Sequence, residues 1–208
     1  MKKIYLFIFV ASMAFISSCD KKDDPTPVNN NPHFNDLTTG SWVIDDVIMH
    51  TKFESGFDMD NDENLDFPFA IDTTYSIFAD YGACGKDLNF NFTSSNKLEY
   101  AAGATYCGPL LKKTDYTWQE KENFEKLLVI GKDAGGMFYQ DEMVNSLGDT
   151  LSLDVKELTN STFIAVNNYP LEKMYAAAGY DAETIALMKE MGFSFSGSME
   201  ITYKWKKQ

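Results

Sequence analysis

The run Cys84-Gly85-Lys86-Asp87-Leu88-Asn89-Phe90-Asn91-Phe92-Thr93-Ser94-Ser95-Asn96-Lys97-Leu98-Glu99-Tyr100 decides the fold. Leu88, Phe90 and Phe92 fall on one face, and Asp87, Asn89 and Asn91 on the other. Ser94-Ser95-Asn96 has turn chemistry, after which Leu98 and Tyr100 alternate with Lys97 and Glu99. Beyond Cys107 the pattern resumes in Thr114-Asp115-Tyr116-Thr117-Trp118-Gln119, turns at Lys121-Glu122-Asn123 and enters the run Phe124–Ile130. A period of two over short segments joined by turns predicts an antiparallel meander with one buried face.

The pattern extends in both directions. Asp149–Val155 and Thr162–Val166 alternate, Met137-Phe138-Tyr139 begins another strand, and Phe193–Trp205 alternates without a break, which predicts the longest strand of the chain. On the N-terminal side, a strand containing Val43, Ile44, Val47 and Ile48 is followed by a long connection, Phe57–Asp72. Only Tyr169–Gly192 departs from the rhythm. Pro170 suits a first helical position, with Leu171, Met174, Tyr175 and Ala178 on one face and Gly179 as the stop. Asp181 then caps a second helix, Ala182–Met191, which ends at Gly192. This pair, at about residues 170–192, is an insertion before the last strand. Its methionine-rich stripes read as an adaptable cover over one mouth of the fold, and the alternative is a static plug against the outer wall.

Lys2-Lys3 followed by the apolar run Ile4–Ile16 reads as an export signal, too short to span a membrane as a helix. It closes on Phe15-Ile16-Ser17-Ser18-Cys19, which resembles the lipobox of bacterial lipoproteins. That resemblance implies that residues 1–18 are removed and that Cys19 carries lipid. Residues 19–33, rich in Asp, Asn and Pro, form a tether that cannot bury a core. The start of the tether, Asp20-Lys21-Lys22-Asp23-Asp24, is similar to an export tag of surface lipoproteins. The expected address is therefore the outer membrane, facing the cell surface, with the periplasmic face as the alternative.

The domain occupies residues 34–208 and opens with Leu37-Thr38-Thr39-Gly40-Ser41-Trp42. Leu-x-x-Gly-x-Trp leading into a β run resembles the first strand of lipocalins. With the meander and the C-terminal strand, the chain from Leu37 to Trp205 resembles the lipocalin-like domain of small bacterial outer-membrane lipoproteins. The resemblance implies an all-β, antiparallel up-and-down barrel of about eight strands, with a short helical plug at one end and Trp42 packed over it. Lipocalins usually lay an arginine from the last strand across that tryptophan; here Lys204 or Lys206 would have to serve.

The composition excludes several functions. The chain has a net charge of −13 and no arginine, and loss of Lys2 and Lys3 takes it to −15. Nucleic-acid binding needs a basic footprint, and no Gly-rich phosphate loop is present. With two histidines, His33 and His50, a nucleophilic triad is hard to build and no zinc spacing is offered; paired carboxylates remain the one catalytic alternative, and the chain reads as a non-enzyme. Once Cys19 is acylated, Cys84 and Cys107 are an even pair in an oxidising compartment and read as a disulfide, with a metal site or a reactive thiol as the alternatives. Asp58, Asp60, Asp62, Asn64 and Asp66 place oxygens at alternate positions, as a weak calcium loop would. Glu63 and Phe69 depart from the full calcium-loop pattern, and a solvated acidic loop is the other reading.

Small barrels hold either side chains or one ligand. The residues expected to face inward are Trp42, Phe90, Phe92, Tyr100, Tyr116, Trp118, Phe195, Met199 and Tyr203. They would suit a small apolar or sugar-like ligand. Alternatively they fill a solid core, and the protein is a structural or protein-interaction subunit of the envelope.

Overall fold

The computed structural model describes residues 31–60, 64–79, 85–105, 112–132, 134 and 148–208. The strands are β1 (Trp42–Phe57), β2 (Phe69–Ser76), β3 (Leu88–Phe92), β4 (Lys97–Ala102), β5 (Lys112–Lys121), β6 (Lys126–Ile130), β7 (Thr150–Leu158), β8 (Thr162–Pro170) and β9 (Phe193–Lys207). Helix α1 (Pro32–Thr38) precedes them, and α2 (Leu171–Ala177) and α3 (Ala182–Glu190) lie between β8 and β9. Every pairing is antiparallel, and the meander from β3 to β9 closes on β1. The fold is an all-β, up-and-down barrel with a two-helix insertion before the last strand.

Ring closure depends on β1 having two partners on one edge. Trp42 and Val43 pair with Phe90 and Asn89 of β3, whereas Ile48–Ser55 pair with β2. Its other edge stays with β9 from Trp42 to Phe57, through one bulge between Ile44 and Asp46. Eight strands therefore close the ring, and β2 is an extra strand on the far half of β1. Pro170, the last residue of β8, pairs with Ser198. Beyond that point β2, β1 and β9 continue as a three-stranded flap.

One end of the barrel is sealed. Asn31 caps α1, accepting from the His33 backbone N–H at 2.9 Å, and Leu37 is fully buried. The Trp42 indole Nε1 donates to the Leu37 carbonyl at 2.9 Å, and Phe34 packs on Trp118 with ring centroids 5.7 Å apart. Above this plug the rings interlock around Phe163, which stacks on Trp205 at 4.5 Å and meets Trp42 and Phe92 edge-on at 5.9 and 6.1 Å. Offset and edge-on arrangements of this kind add to the burial of area itself.

The structure corrects several sequence expectations. The cation over Trp42 is Lys207, 4.8 Å from the ring, and it also donates to the Asp36 carbonyl at 2.8 Å. Strand parity explains this, because Tyr203, Trp205 and Lys207 share the inward face of β9 and the even residues point outward. Lys204 and Lys206 accordingly pair with Asp46 and Asp45 at 3.6 and 2.6 Å outside the barrel. Among the described residues the longest strand is β1, with 16 residues against 15 in β9. The connection after β1 ends at Pro68, because β2 already starts at Phe69. Pro170 is the N-cap of α2 rather than its first residue. The strand expected at Met137-Phe138-Tyr139 lies outside the described residues.

Phe163 has no exposed surface and touches three other rings. Phe163→Ala should cost about 3–5 kcal/mol, the usual range for emptying an aromatic site in a core. Chemical denaturation of the two proteins measures this, and a loss below about 1 kcal/mol would mean that the core collapses readily around the gap.

Candidate functional site

The end away from α1 carries the surface with binding character. Across the flap, Phe53, Ser55 and Phe57 of β1 share a face with Phe69, Ile71, Thr73 and Tyr75 of β2 and with Phe193, Phe195, Gly197 and Met199 of β9. The same parity leads down to the buried Met49, Ile201 and Tyr203, so this face is the barrel's inner face carried past the mouth. It contains no charged side chain. Phe69, Ile71 and Phe193 are 56%, 37% and 38% exposed. The opposite face, with His50, Lys52, Glu54, Asp72 and Glu200, is polar. Gly197 lies across from Phe53 with φ at +145°, and a side chain there would strike the Lys52 carbonyl.

The two inserted helices sit at this end. Met174 of α2 packs against the core, and Tyr175 meets Phe195 with centroids 5.0 Å apart. Lys189 of α3 lies 5.5 Å over the Phe195 ring. Asp181 caps α3, its Oδ1 accepting from the Thr184 N–H at 2.7 Å, and these hydrogen bonds hold its carboxyl below the ordinary value. No residue of α3 is buried, and Leu187 and Met191, one turn apart, are about half exposed.

Of the nine aromatic and apolar residues expected to line a ligand cavity, seven are core. Trp42, Phe90, Phe92, Tyr100, Tyr116, Trp118 and Tyr203 are all buried. Phe92 packs on Trp118 at 6.2 Å, Phe90 on Tyr100 at 5.7 Å and Tyr203 on Trp205 at 5.4 Å. Phe195 and Met199 are partly exposed at the open end. The sequence reading missed Phe53, Phe57, Phe69, Ile71 and Phe193 as site residues, although the alternation of Phe193 with Ser194 and Ser196 is a signal for the last of them. It also stopped β8 at Val166, whereas Asn167 and Tyr169 continue the inward series Phe163, Ala165 and are buried.

Tyrosine hydroxyls and the Asn167 side chain are polar groups of the interior. Burial pushes Tyr169 up to about 12, against the hydrogen bonds it shares with Tyr203 and Asn167. Tyr100 is likewise pushed up to about 12, by burial first and then by Tyr116, on which it stacks at 6.1 Å. The Tyr116 hydroxyl donates to the Lys132 carbonyl at 3.2 Å. Burial lowers the Lys207 ammonium, and nearby Asp36 opposes the shift. Each of these shifts follows from packing.

In the acidic loop the carboxylates of Asp58, Asp60 and Asp66 approach within 4.8 Å of one another. Asp66 Oδ2 also accepts from the Met59 N–H at 2.7 Å, and the Asp66 N–H donates to the Phe57 carbonyl at 2.9 Å. Asn64 is exposed on the same loop, and Asp62 lies outside the described residues. Cys19, Cys84 and Cys107 also lie outside them. The segments beside the last two are joined: the Asp87 carbonyl accepts from the Gly103 N–H, and its Oδ2 from the Thr105 N–H, both at 2.7 Å. A cleft of about 320 Å³ opens at the flap tip beside Leu65, Pro68, Phe69 and Ser194. Another, of about 290 Å³, lies at the sealed end beside His33, Phe124 and Leu158. No family model, no curated protein and no solved structure matches this chain.

The raised tyrosines set an alkaline limit. Below pH 10 both folded and unfolded chains keep these hydroxyls protonated, so stability does not depend on them. From the ordinary value of 10 up to about 12, the unfolded chain ionises them while the folded one does not, so stability falls. Ultraviolet titration should show tyrosines ionising late, together with loss of structure. Complete ionisation near pH 10 with the fold intact would contradict the burial.

Proposed function

We propose that this chain is an outer-membrane lipoprotein, held by lipid on Cys19 and facing the cell surface, whose open end is a binding surface. The observation that carries the binding role is the uncharged flap face with exposed Phe69, Ile71 and Phe193, on a chain of net charge −13. Contiguous exposed apolar surface on such a protein marks an interaction site. The anchor suits this arrangement. Asn31 lies at the sealed end, where its side chain donates to Asn123 Oδ1 at 2.9 Å. A tether from Cys19 to Asn31 would reach at most about 40 Å and would enter the domain at the end opposite the flap.

The ligand we favour is small and apolar or sugar-like, held between the flap and the α2–α3 pair. The packing of Trp42, Phe90, Phe92 and Trp118 into a filled core favours a second reading, a protein-interaction subunit of the envelope. In both readings the chain is a binding protein rather than an enzyme. Titration with an apolar fluorescent probe separates them. Saturable binding lost in Phe69→Ser and Phe193→Ser supports the small ligand, and its absence leaves the second reading.

Replacing Cys19 with Ala should move the protein from the membrane to the soluble fraction. Intact mass of the wild type should report both the lipid and the two hydrogens lost when Cys84 and Cys107 are oxidised to a disulfide. An unlipidated membrane protein, or two free thiols, would overturn the respective assignment.

The reading includes weak calcium binding by Asp58, Asp60 and Asp66, since a hard cation takes carboxylate oxygens. Calorimetric titration should give heat that Asp58→Ala and Asp60→Ala abolish. No heat at about millimolar calcium, the weak end of such sites, would leave a solvated acidic loop.

A further inference from the structure

We infer that the free edge of β2 accepts an extended segment of a partner protein as an added antiparallel strand. The inference rests on the protein-interaction reading of the open end and names its partner class. All eight residues of β2 are exposed, and among the described residues the strand pairs only with β1. The Ile77 N–H donates to the Val47 carbonyl at 2.9 Å, in register with the pairing of Ile48 with Ser76. Hydrogen-bonding direction alternates along an antiparallel strand. Phe69, Ile71, Thr73 and Tyr75 therefore spend their backbone groups on β1, and Ala70, Asp72, Thr74 and Ser76 direct theirs to the open side.

Natural sheet edges are usually blunted by lysine, proline or a bulge. None of these occurs in β2. Its register with β1 is continuous over eight residues, and its one charge, Asp72, is paired with His50 at 2.9 Å. A strand laid along this edge would complete a backbone ladder on one side and extend the Phe69, Ile71 and Tyr75 face on the other, which is the strand-addition mode of recognition.

The charges around the edge define the occupant. Asp58, Asp60 and Asp66 cluster just before the N-terminal end of β2. The C-terminal end of an antiparallel strand would lie there, so the complementary segment alternates apolar residues and ends in lysine or arginine. A second copy of this chain is disfavoured. It would bring a further net charge of −13, no arginine and no lysine in β2 to the contact.

Two labelled synthetic peptides test this on the full chain, Thr-Val-Thr-Val-Thr-Val-Lys-Lys-Lys and the version with the lysines placed first. At low salt the first should bind about tenfold tighter, and the difference should shrink as salt screens the acidic cluster. Thr74→Pro removes one outward N–H without touching the β1 ladder. It should abolish peptide binding with the circular dichroism spectrum unchanged, whereas Thr117→Val, on the outer wall of β5, should bind as the wild type does. Equal affinity for both peptides, or binding that survives Thr74→Pro, would overturn the inference. If neither peptide binds while the apolar probe does, strand addition is wrong and the binding surface stands. Dimerisation that Thr74→Pro abolishes would assign the edge to a second copy instead.

Discussion

The structure depends on the length of β1 and on its exchange of partners. A strand of 16 residues is roughly three times the usual strand length of 5–6. Its first residues face β3 and close the ring, and its later ones face β2. With β9 alongside throughout, the same ladder that seals a barrel at one end holds a flap open at the other. Apart from Thr51, Ser55 and Lys207, the inner face is apolar along this ladder. It is core where the ring encloses it and exposed where the ring ends.

The two ends have different physics. At the sealed end, Trp42 spends its one donor on Leu37, and Lys207 covers the ring while its own charge is satisfied by the Asp36 carbonyl. The aromatic stack around Phe163 leaves side chains, rather than a ligand, in the positions that the sequence suggested for binding. At the open end, α3 contributes a capped helix with Leu187 and Met191 turned to solvent, and the flap contributes Phe69 and Phe193. Binding would therefore use surface beyond the ring.

The sequence discloses the architecture well and the site poorly, for a physical reason. Alternation reports which residues share a face, so the meander, the closing strand and the Asp181 cap could all be read directly. Parity also separates Lys207 from Lys204 and Lys206, had the last strand been followed to its end. Alternation does not report whether a face is enclosed. Phe90 and Phe69 look alike in sequence, yet one is 1% exposed and the other 56%, because only the first lies within the closed ring. Where the ring ends is set by the register of β1 against two partners, a long-range property that no local pattern encodes. The strand β2 was hidden for a related reason: its Asp72-Thr73-Thr74 centre reads as loop chemistry, and β1 supplies the pairing that makes it a strand.

Amide hydrogen exchange along β2, resolved by residue, tests the account at its centre. A strand held by β1 on one side and open on the other should show a period of two. Ile71, Thr73 and Tyr75 should exchange slowly and Ala70, Asp72 and Thr74 rapidly, with Trp42–Val47 of β1 slower than either group. Uniform protection along β2 would show that its outer edge is already covered. Uniformly rapid exchange would show that the flap does not persist as a sheet.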